Sequence, residues 1–317
     1  QLRQSEQRPD QGSAIGRLAR LRGLETRLLG RDDLDVADPL SVASALEKHR
    51  PWAVLNAAGY VRVDEAEHQR GACFRENADG AAILAGECAR LGIALVTFSS
   101  DLVFSGKFDR PYVESDPVGP TGAYGESKVE AERRVAELLP SALVVRTSAF
   151  FGPWDAHNIL TKALSELGAG REYVVPSGVV SPTYVPDLVN AVLDLLIDGE
   201  QGIWHLANVG ESSWIEFVRR GAEMAGVDPA GLRERSCSRV GGTLLPPYSV
   251  LGSERGLLLP PLEDAVRRYV EATDDQPGGR LGGRHQRIAV VSVGARAMRH
   301  GRRAARRTPP ALPAQPA

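Results

Sequence analysis

Tyr124 and Lys128 form the residue pair in this sequence whose types and spacing best suit acid–base chemistry. They stand four residues apart in AYGESKVE, so on a helix their side chains would share one face. A lysine ammonium can lower the pKa of a neighbouring phenol and hold a ribose hydroxyl, and the tyrosine can donate a proton to a substrate oxygen. Two exposed residues on an amphipathic helix would show the same spacing.

The scarcity of lysine strengthens the chemical interpretation. Only four of the 38 basic residues are lysines, at positions 48, 107, 128 and 162, and the rest are arginines. Arginine would replace lysine poorly here, because its pKa and its forked shape differ. Chance therefore explains a lysine at the required spacing less well here than it would in a lysine-rich chain.

Two predicted strand ends carry further candidates. Ser100 closes the apolar run IALVTFSS (93–100), at the point where a buried parallel strand would meet a ligand. The stretch NAAG (56–59) ends another strand with almost no side-chain bulk, which lets a flat or phosphorylated ligand approach the backbone. Small polar residues also end strands for structural reasons alone. The NAAG stretch, Ser100 and the Tyr124/Lys128 pair follow one another along the chain in the order of the predicted strands, which favours a common site.

Apolar runs that alternate with helical patterns would position these residues. Strands are predicted at 26–30, 52–59, 93–100, 141–152 and 203–208. Helices are predicted at 41–50, 80–92, 125–139, 159–170, 185–199, 212–226 and 262–272. Near-continuous apolar strands separated by helices indicate an α/β fold with a doubly wound parallel sheet, whose ligand site lies beyond the carboxyl ends of the strands.

Composition limits the class of protein. The 317 residues are 43% apolar and 25% charged, which suits a folded globular chain. There is no run of 18 apolar residues, and the polar start QLRQSEQRPD does not resemble a signal peptide. Cys73, Cys88 and Cys237 are too few and too widely spaced for a disulfide framework or a paired metal site. We therefore expect a reducing, cytoplasmic setting and no metal.

Charge is distributed unevenly along the chain. Residues 280–317 hold nine arginines and no acidic residue, which leaves 29 basic against 40 acidic residues in 1–279. An acidic body argues against nucleic-acid binding, and we expect neither a nucleic acid nor a membrane as its partner. The basic segment could touch nucleic acid or acidic lipid, but its composition is better explained by a solvated, disordered extension.

The motifs together resemble the extended short-chain dehydrogenase/reductases, and among these the dTDP-4-dehydrorhamnose reductase family. The resemblance extends over about residues 12–271 and rests on NAAGYVRVDEAE, SSDLVFSG, PVGPTGAYGESKVEAE, VVRTSAFFGP and VSPTYVPDLVNAVLDLLI. It implies a Rossmann sheet and NADPH or NADH as the cofactor. It also implies reduction of the C4 keto group of dTDP-4-dehydro-6-deoxy-L-mannose, a dTDP-sugar substrate, to dTDP-L-rhamnose. A homodimer is compatible with it.

The resemblance assigns roles to residues on the reacting side. Tyr124 would be the catalytic acid and proton donor, with Lys128 as its helper. Ser100, next to Asp101, would hydrogen-bond the keto oxygen, and both would contact the substrate. Ala149 stands where several members of the family place a substrate-side tryptophan, so the exact sugar nucleotide stays open.

It also assigns roles on the cofactor side. Asp35 and Val36 match a pair beside the adenine, and Gly12 matches the last glycine of the cofactor turn. Arg31 could contact a 2′-phosphate, although a surface charge explains it better in a chain this rich in arginine. Tyr124 and Lys128 would also touch the cofactor. The loop along the cofactor would be formed by Ala57, Ala58 and Gly59.

The N-terminus departs from the family. The expected G-x-x-G-x-x-G turn retains only Gly12, since Pro9 and Glu6 occupy the two earlier positions, and no apolar strand precedes them. The first strand of a doubly wound sheet lies in its middle, so its loss leaves a gap. RIAVVSVG (287–294) is the only spare segment with strand character. No motif supports that substitution, so we expect a distorted sheet and weak NADPH binding.

These observations divide the chain into four segments. They are a linker or damaged first strand (1–11), a dinucleotide-binding Rossmann domain (12–152), a smaller α/β substrate-binding portion (153–272) and a basic disordered tail (273–317). We expect residues 280–317 to make few contacts with the body.

Three functions stay open. The retained Tyr124, Lys128 and Ser100 favour a reductase, and the missing first strand favours a non-catalytic member of the superfamily that acts as a regulatory or binding subunit. A nucleotide-sugar epimerase or dehydratase is the third, and the short C-terminal portion argues against it.

Overall fold

The centre of the molecule is a six-stranded sheet. The computed structural model describes residues 11–235, 239–240, 243–256, 259–274 and 288–292. The strands of the sheet, numbered in chain order with the others, are β1 (Glu25–Leu29), β2 (Ala53–Asn56), β3 (Ala94–Phe98), β4 (Leu143–Arg146), β9 (Gly202–His205) and β16 (Ile288–Ser292). Their order across the sheet is β1-β16-β2-β3-β4-β9. All of them run parallel except β16, which is antiparallel to both of its neighbours.

Helices and short strand pairs complete the described chain. The helices are α1 (Gln11–Leu21), α2 (Pro39–His49), α3 (Arg70–Phe74), α4 (Gly80–Leu91), α5 (Ala123–Leu138), α6 (Ile159–Gly168), α7 (Val185–Asp198), α8 (Trp214–Met224) and α9 (Leu262–Asp274). The short pairs are β5 (Phe150–Phe151) with β8 (Thr183–Tyr184), β6 (Tyr173–Pro176) with β12 (Leu232–Arg235), β7 (Val179–Val180) with β11 (Ser212–Ser213), β10 (Asn208–Val209) with β15 (Leu259–Pro261), and β13 (Arg239–Val240) with β14 (Thr243–Leu244). Among the described helices, none is both long and apolar enough to span a membrane.

Alternating side chains of the strands build a core on each face of the sheet. In β2, Ala53 and Leu55 pack in a cluster with α1 and α7, whereas Val54 packs on the opposite face with α2, α4 and α5. All three are completely buried, as expected for a strand covered by helices on both sides. The prediction of an α/β fold with a parallel sheet is confirmed.

The position between β1 and β2 is filled, contrary to the distorted sheet that we favoured. Ile288 pairs with Leu29 on one side and with Asn56 on the other, so β16 lies between β1 and β2, second from the edge of the sheet. Its Ile288 and Val290 side chains are each 1% exposed. The reason is that an open gap would leave two rows of backbone groups unpaired, and a β-branched segment satisfies them in either direction.

The expectation of few contacts for residues 280–317 is therefore wrong for Ile288–Ser292. That segment belongs to the core rather than to a disordered tail, because its apolar side chains are buried. The predictions for residues 1–10, and for the rest of the basic tail at 275–287 and 293–317, fall outside the described residues.

The smaller portion of the chain has a core of its own. Phe151, Phe217 and Tyr269 meet edge to face within it, packed among α6, α8 and α9. However, α7 packs on the central sheet and β9 belongs to it. Residues on both sides of position 152 therefore contribute to the central sheet and its core.

Candidate functional site

The candidate active site lies where the start of α5 meets the end of β3. The Glu67 carboxylate accepts a hydrogen bond from the backbone N–H of Ala123 at 2.7 Å and so holds the first turn of α5. A Cβ at Gly125 would overlap the carbonyl oxygen of Leu102, so glycine is needed for this close approach. The result is that Tyr124 faces the residues that follow β3.

The Ser100 side chain lies near enough to the Tyr124 phenol to oppose the rise in its pKa. Ser100 Oγ accepts a hydrogen bond from the Leu102 backbone N–H at 3.1 Å. Burial raises the pKa of Tyr124, and the nearby Asp101 carboxylate raises it further. The phenol therefore keeps its proton at neutral pH, which suits a proton donor.

Lys128 lies one turn further along α5. Its Nζ donates a hydrogen bond to the Phe98 carbonyl at 3.2 Å and lies 5.7 Å from the centroid of the Tyr124 ring. Burial lowers the pKa of Lys128 to about 8. The net shift at the Tyr124 phenol is upward, because burial and Asp101 outweigh the group that lowers its pKa, and a lowering effect of Lys128 stays a prediction.

Asp101 fixes the hydroxyl of Ser100. Its carboxylate is 5% exposed and accepts hydrogen bonds from Ser100 Oγ at 3.0 Å, Ser148 Oγ at 2.8 Å and Ser249 Oγ at 2.6 Å. Burial raises its pKa despite these donors. The Asp101 carboxylate thus accepts from three protein hydroxyls and orients the hydroxyl of Ser100.

A cavity of about 730 Å³ lies beside the end of β1 and the turn after β2. Its lining includes the predicted cofactor residues Asp35, Val36, Ala58 and Gly59, together with Ile288. A Cβ at Gly59 would lie 3.6 Å from Lys128 Nζ, so the cavity adjoins the reacting residues. Its volume is in the range of cofactor sites.

Four of the predicted cofactor residues, Gly12, Ala57, Tyr124 and Lys128, do not line this cavity. Ala57 is partly buried against the core on the α1 face of the sheet. Gly12 lies in the first turn of α1, and the residues that precede it fall outside the described chain. Their proposed contacts with a cofactor stay predictions.

The cavity wall depends on Gly59 and on a residue that sequence reasoning missed, Asn77. Gly59 has φ +156°, and a Cβ there would lie 2.5 Å from Asn77 Oδ1. Asn77 Oδ1 accepts a hydrogen bond from the Tyr60 backbone N–H at 2.8 Å, and Asn77 Nδ2 donates to Ser127 Oγ at 2.9 Å. No sequence signal marked Asn77, because it lies outside the helices that the sequence predicts.

Charged pairs border the far end of the cavity. The Arg75 guanidinium lies 2.8 Å from the Asp35 carboxylate, and this hydrogen bond lowers the pKa of Asp35. Arg31 lines the cavity, but its exposed guanidinium pairs with Glu76 at 2.5 Å. Arg31 therefore serves both as a lining residue and as a surface charge.

On the opposite side, Ala149 has φ +41°, a left-handed conformation that is uncommon for a residue other than glycine. Its carbonyl accepts a hydrogen bond from the Thr183 backbone N–H at 3.1 Å, which helps to hold it. Within the described residues, no group of three or more His, Cys, Asp or Glu side chains is placed to bind a metal ion.

A Rossmann-type sheet with a tyrosine, a lysine four residues later and a serine at the strand ends defines a short-chain dehydrogenase/reductase. The model of the RmlD substrate binding domain family matches residues 10–256. The chain belongs to the dTDP-4-dehydrorhamnose reductase family, which confirms the resemblance.

Three relatives illustrate the similarity. The chain is 35% identical over 241 residues to a dTDP-4-keto-6-deoxy-D-glucose reductase of Streptomyces niveus, covering 75% of this chain and 84% of the relative. It is 34% identical over 241 residues to a dTDP-4-dehydrorhamnose reductase of Streptomyces griseus, covering 74% and 79%. The crystal structure of dTDP-4-dehydrorhamnose reductase from Bacillus anthracis in complex with NADP superposes with a TM-score of 0.71 at 30% identity, covering 75% and 87%.

Proposed function

We propose that this protein is an NAD(P)H-dependent reductase of the C4 keto group of dTDP-4-dehydro-6-deoxy-L-mannose, yielding dTDP-L-rhamnose. The observation that carries the proposal is the meeting of Tyr124, Lys128 and Ser100 beside the cavity that Gly59 borders. The names of the Streptomyces relatives support a dTDP-4-keto sugar as substrate. The NADP complex of the Bacillus anthracis enzyme supports the cofactor.

The cavity would hold the cofactor through Asp35, Val36, Ala58 and Gly59. The bound nicotinamide would supply the hydride for the carbonyl carbon. Gly59 fits this use, because its missing side chain leaves room beside Lys128 Nζ. The protein's own contribution is to orient the sugar and to supply the proton.

The proton would come from Tyr124. On substrate binding the Ser100 hydroxyl would turn its hydrogen from Asp101 to the keto oxygen, and the protonated phenol of Tyr124 would donate to the same oxygen as the carbonyl is reduced. The Lys128 ammonium, 5.7 Å from the ring centroid, would stabilise the phenolate that remains. The product is the C4 alcohol.

An assay of NADPH and NADH oxidation with dTDP-4-keto-6-deoxy sugars tests the proposal. We expect oxidation that depends on the dTDP-sugar and is lost when Tyr124 is replaced by phenylalanine. Calorimetric binding of NADPH without turnover of any such sugar would contradict it.

One observation favours a second candidate, a binding subunit without catalytic activity. Ile288 of β16 lines the cavity. In doubly wound folds the strand at this position leads directly into the phosphate-binding turn. If this replacement abolishes cofactor binding, the same calorimetric experiment will show no heat with either nucleotide.

A further inference from the structure

Three residues of α5 at intervals of four face the consecutive residues Phe98–Ser100 at the end of β3. Lys128 donates a hydrogen bond to Phe98, Glu132 accepts one from Ser99, and Tyr124 lies beside Ser100. The proposed reaction uses Tyr124 and Lys128. The contact in which Ser99 Oγ donates a hydrogen bond to Glu132 Oε1 has no role in it.

Glu132 is itself held by a buried arginine. Its two carboxylate oxygens accept hydrogen bonds from Arg146 Nε at 2.8 Å and Arg146 Nη2 at 2.7 Å. Glu132 is 8% exposed and Arg146 3%. Because Arg146 ends β4 and the Ser99 backbone N–H donates to the Val145 carbonyl at 2.7 Å, this pair joins α5 to two adjacent strand ends.

The buried pair is costly, because two charges lose their hydration and a pair of apolar residues would often be at least as stable. The position of the Glu132–Arg146 pair explains its presence better than a contribution to stability does. It sits directly behind Ser99, which precedes the proposed substrate-binding Ser100, and one helical turn beyond Lys128.

We propose that Glu132, held by Arg146, is a positioning residue of the active site. It fixes the strand end that carries Ser100 and places a negative charge one helical turn from the Lys128 ammonium. This inference rests on the proposed reductase function.

The charges around Lys128 support the second part of this role. Burial lowers the pKa of Lys128, while Cys73 of α3 and Glu132 of α5 oppose that shift. Burial also raises the pKa of the Cys73 thiol, and burial and Asp101 raise that of the Tyr124 phenol, so both stay neutral at neutral pH. Glu132 therefore favours the protonated form of Lys128.

The titration of Lys128 tests this without any turnover. The chain has only four lysines, so ¹³C-lysine labelling gives few NMR signals, and the Lys128→Met variant identifies the one that matters. In Glu132→Gln we expect the pKa of Lys128 to fall by about one unit. The matched control is Glu130→Gln, on the same helix but paired with Arg133 and Arg134. An unmoved Lys128 signal in folded Glu132→Gln would overturn the proposal.

Ser99→Ala tests the positioning of the strand end and removes no buried charge, so it decides the question if Glu132→Gln does not fold. We expect kcat to fall roughly tenfold. The KM for the dTDP-sugar and the melting temperature should change little, and Ser99→Thr should restore kcat. A Ser99→Ala chain with the kcat of the parent would overturn the proposal.

The two hypotheses fail separately. If the unmodified chain turns over no dTDP-sugar but the Lys128 signal moves as expected, only the proposed function is lost. If turnover is normal and both variants behave like the parent, only the role of Glu132 is lost.

Discussion

Tyr124 is the residue on which the proposed chemistry depends most directly. Its raised pKa leaves a protonated phenol beside Ser100, where the keto oxygen would lie. Tyr124→Phe removes this donor and preserves the ring. We expect kcat to fall by ~10²–10⁴, the usual share of general acid catalysis. Tyr173→Phe, in the smaller portion of the chain, is the matched control, and unchanged turnover in Tyr124→Phe would rule out the acid role.

The lowered pKa of Lys128 predicts how kcat depends on pH. With its pKa near 8, the side chain is charged below that pH and becomes neutral as the pH rises through it. The phenol of Tyr124 loses its proton only at higher pH, because its pKa is raised. We therefore expect kcat to decline on the basic side with a midpoint near pH 8. A midpoint above pH 10 would instead assign the decline to Tyr124.

At the residue scale, the sequence predicted those side chains whose spacing or place at a strand end has a chemical reason. Tyr124 and Lys128 follow the period of one helix, and Ser100 follows one strand. Asn77, Glu132 and Arg146 were missed, because their value lies in partners that only the tertiary fold brings near.

At the scale of elements, the approach of α5 to the turn after β3 decides the geometry of the site. Gly125→Ala would place a methyl group against the Leu102 carbonyl, and a backbone atom cannot rotate away. Because α5 carries both Tyr124 and Lys128, its displacement should lower kcat by about 100-fold and also lower the melting temperature.

Gly86→Ala is the control for that change. Gly86 lies within α4 and has open space around the position of a Cβ, so alanine should stabilise the helix by about 0.5–1 kcal/mol. A Gly125→Ala chain with normal kcat would show that α5 tolerates a shift, and that the site is less closely constrained than the contacts indicate.

The elements also show where sequence-based prediction ends. The strands that became β2, β3 and β4 are buried apolar runs, which their neighbours in the chain are enough to define. The sequence of residues 287–294 predicts a strand equally well, but the partners of that strand, Leu29 and Asn56, lie more than 200 residues away in the chain. Pairing over that separation depends on what the rest of the sheet leaves open.

At the scale of the molecule, β16 should be required for folding. Val290 is 1% exposed and packs in the core on the α2 and α4 face, so Val290→Asp would bury an unpaired carboxylate. We expect a loss of about 3 kcal/mol or more in the free energy of unfolding, measured with denaturant.

A chain shortened to residue 298 is the control for Val290→Asp. It keeps β16 whole, and we expect its stability to lie within ~0.5 kcal/mol of the full chain. A Val290→Asp chain as stable as the parent would show that the sheet does not need this strand in solution.

The direction of β16 leads to the last prediction, weak cofactor binding. In a doubly wound sheet the central strand runs parallel to its neighbours and turns into a helix, so that backbone N–H groups meet the pyrophosphate at the start of that helix. β16 is antiparallel and begins, rather than ends, at this edge, with Ile288 lining the cavity. It cannot make that turn into α1. We expect calorimetry to give a Kd for NADPH well above the low micromolar range, with the NADP-binding Bacillus anthracis relative measured alongside as the reference. A low-micromolar Kd for this chain would mean that the pyrophosphate is held by residues other than those that line the described cavity.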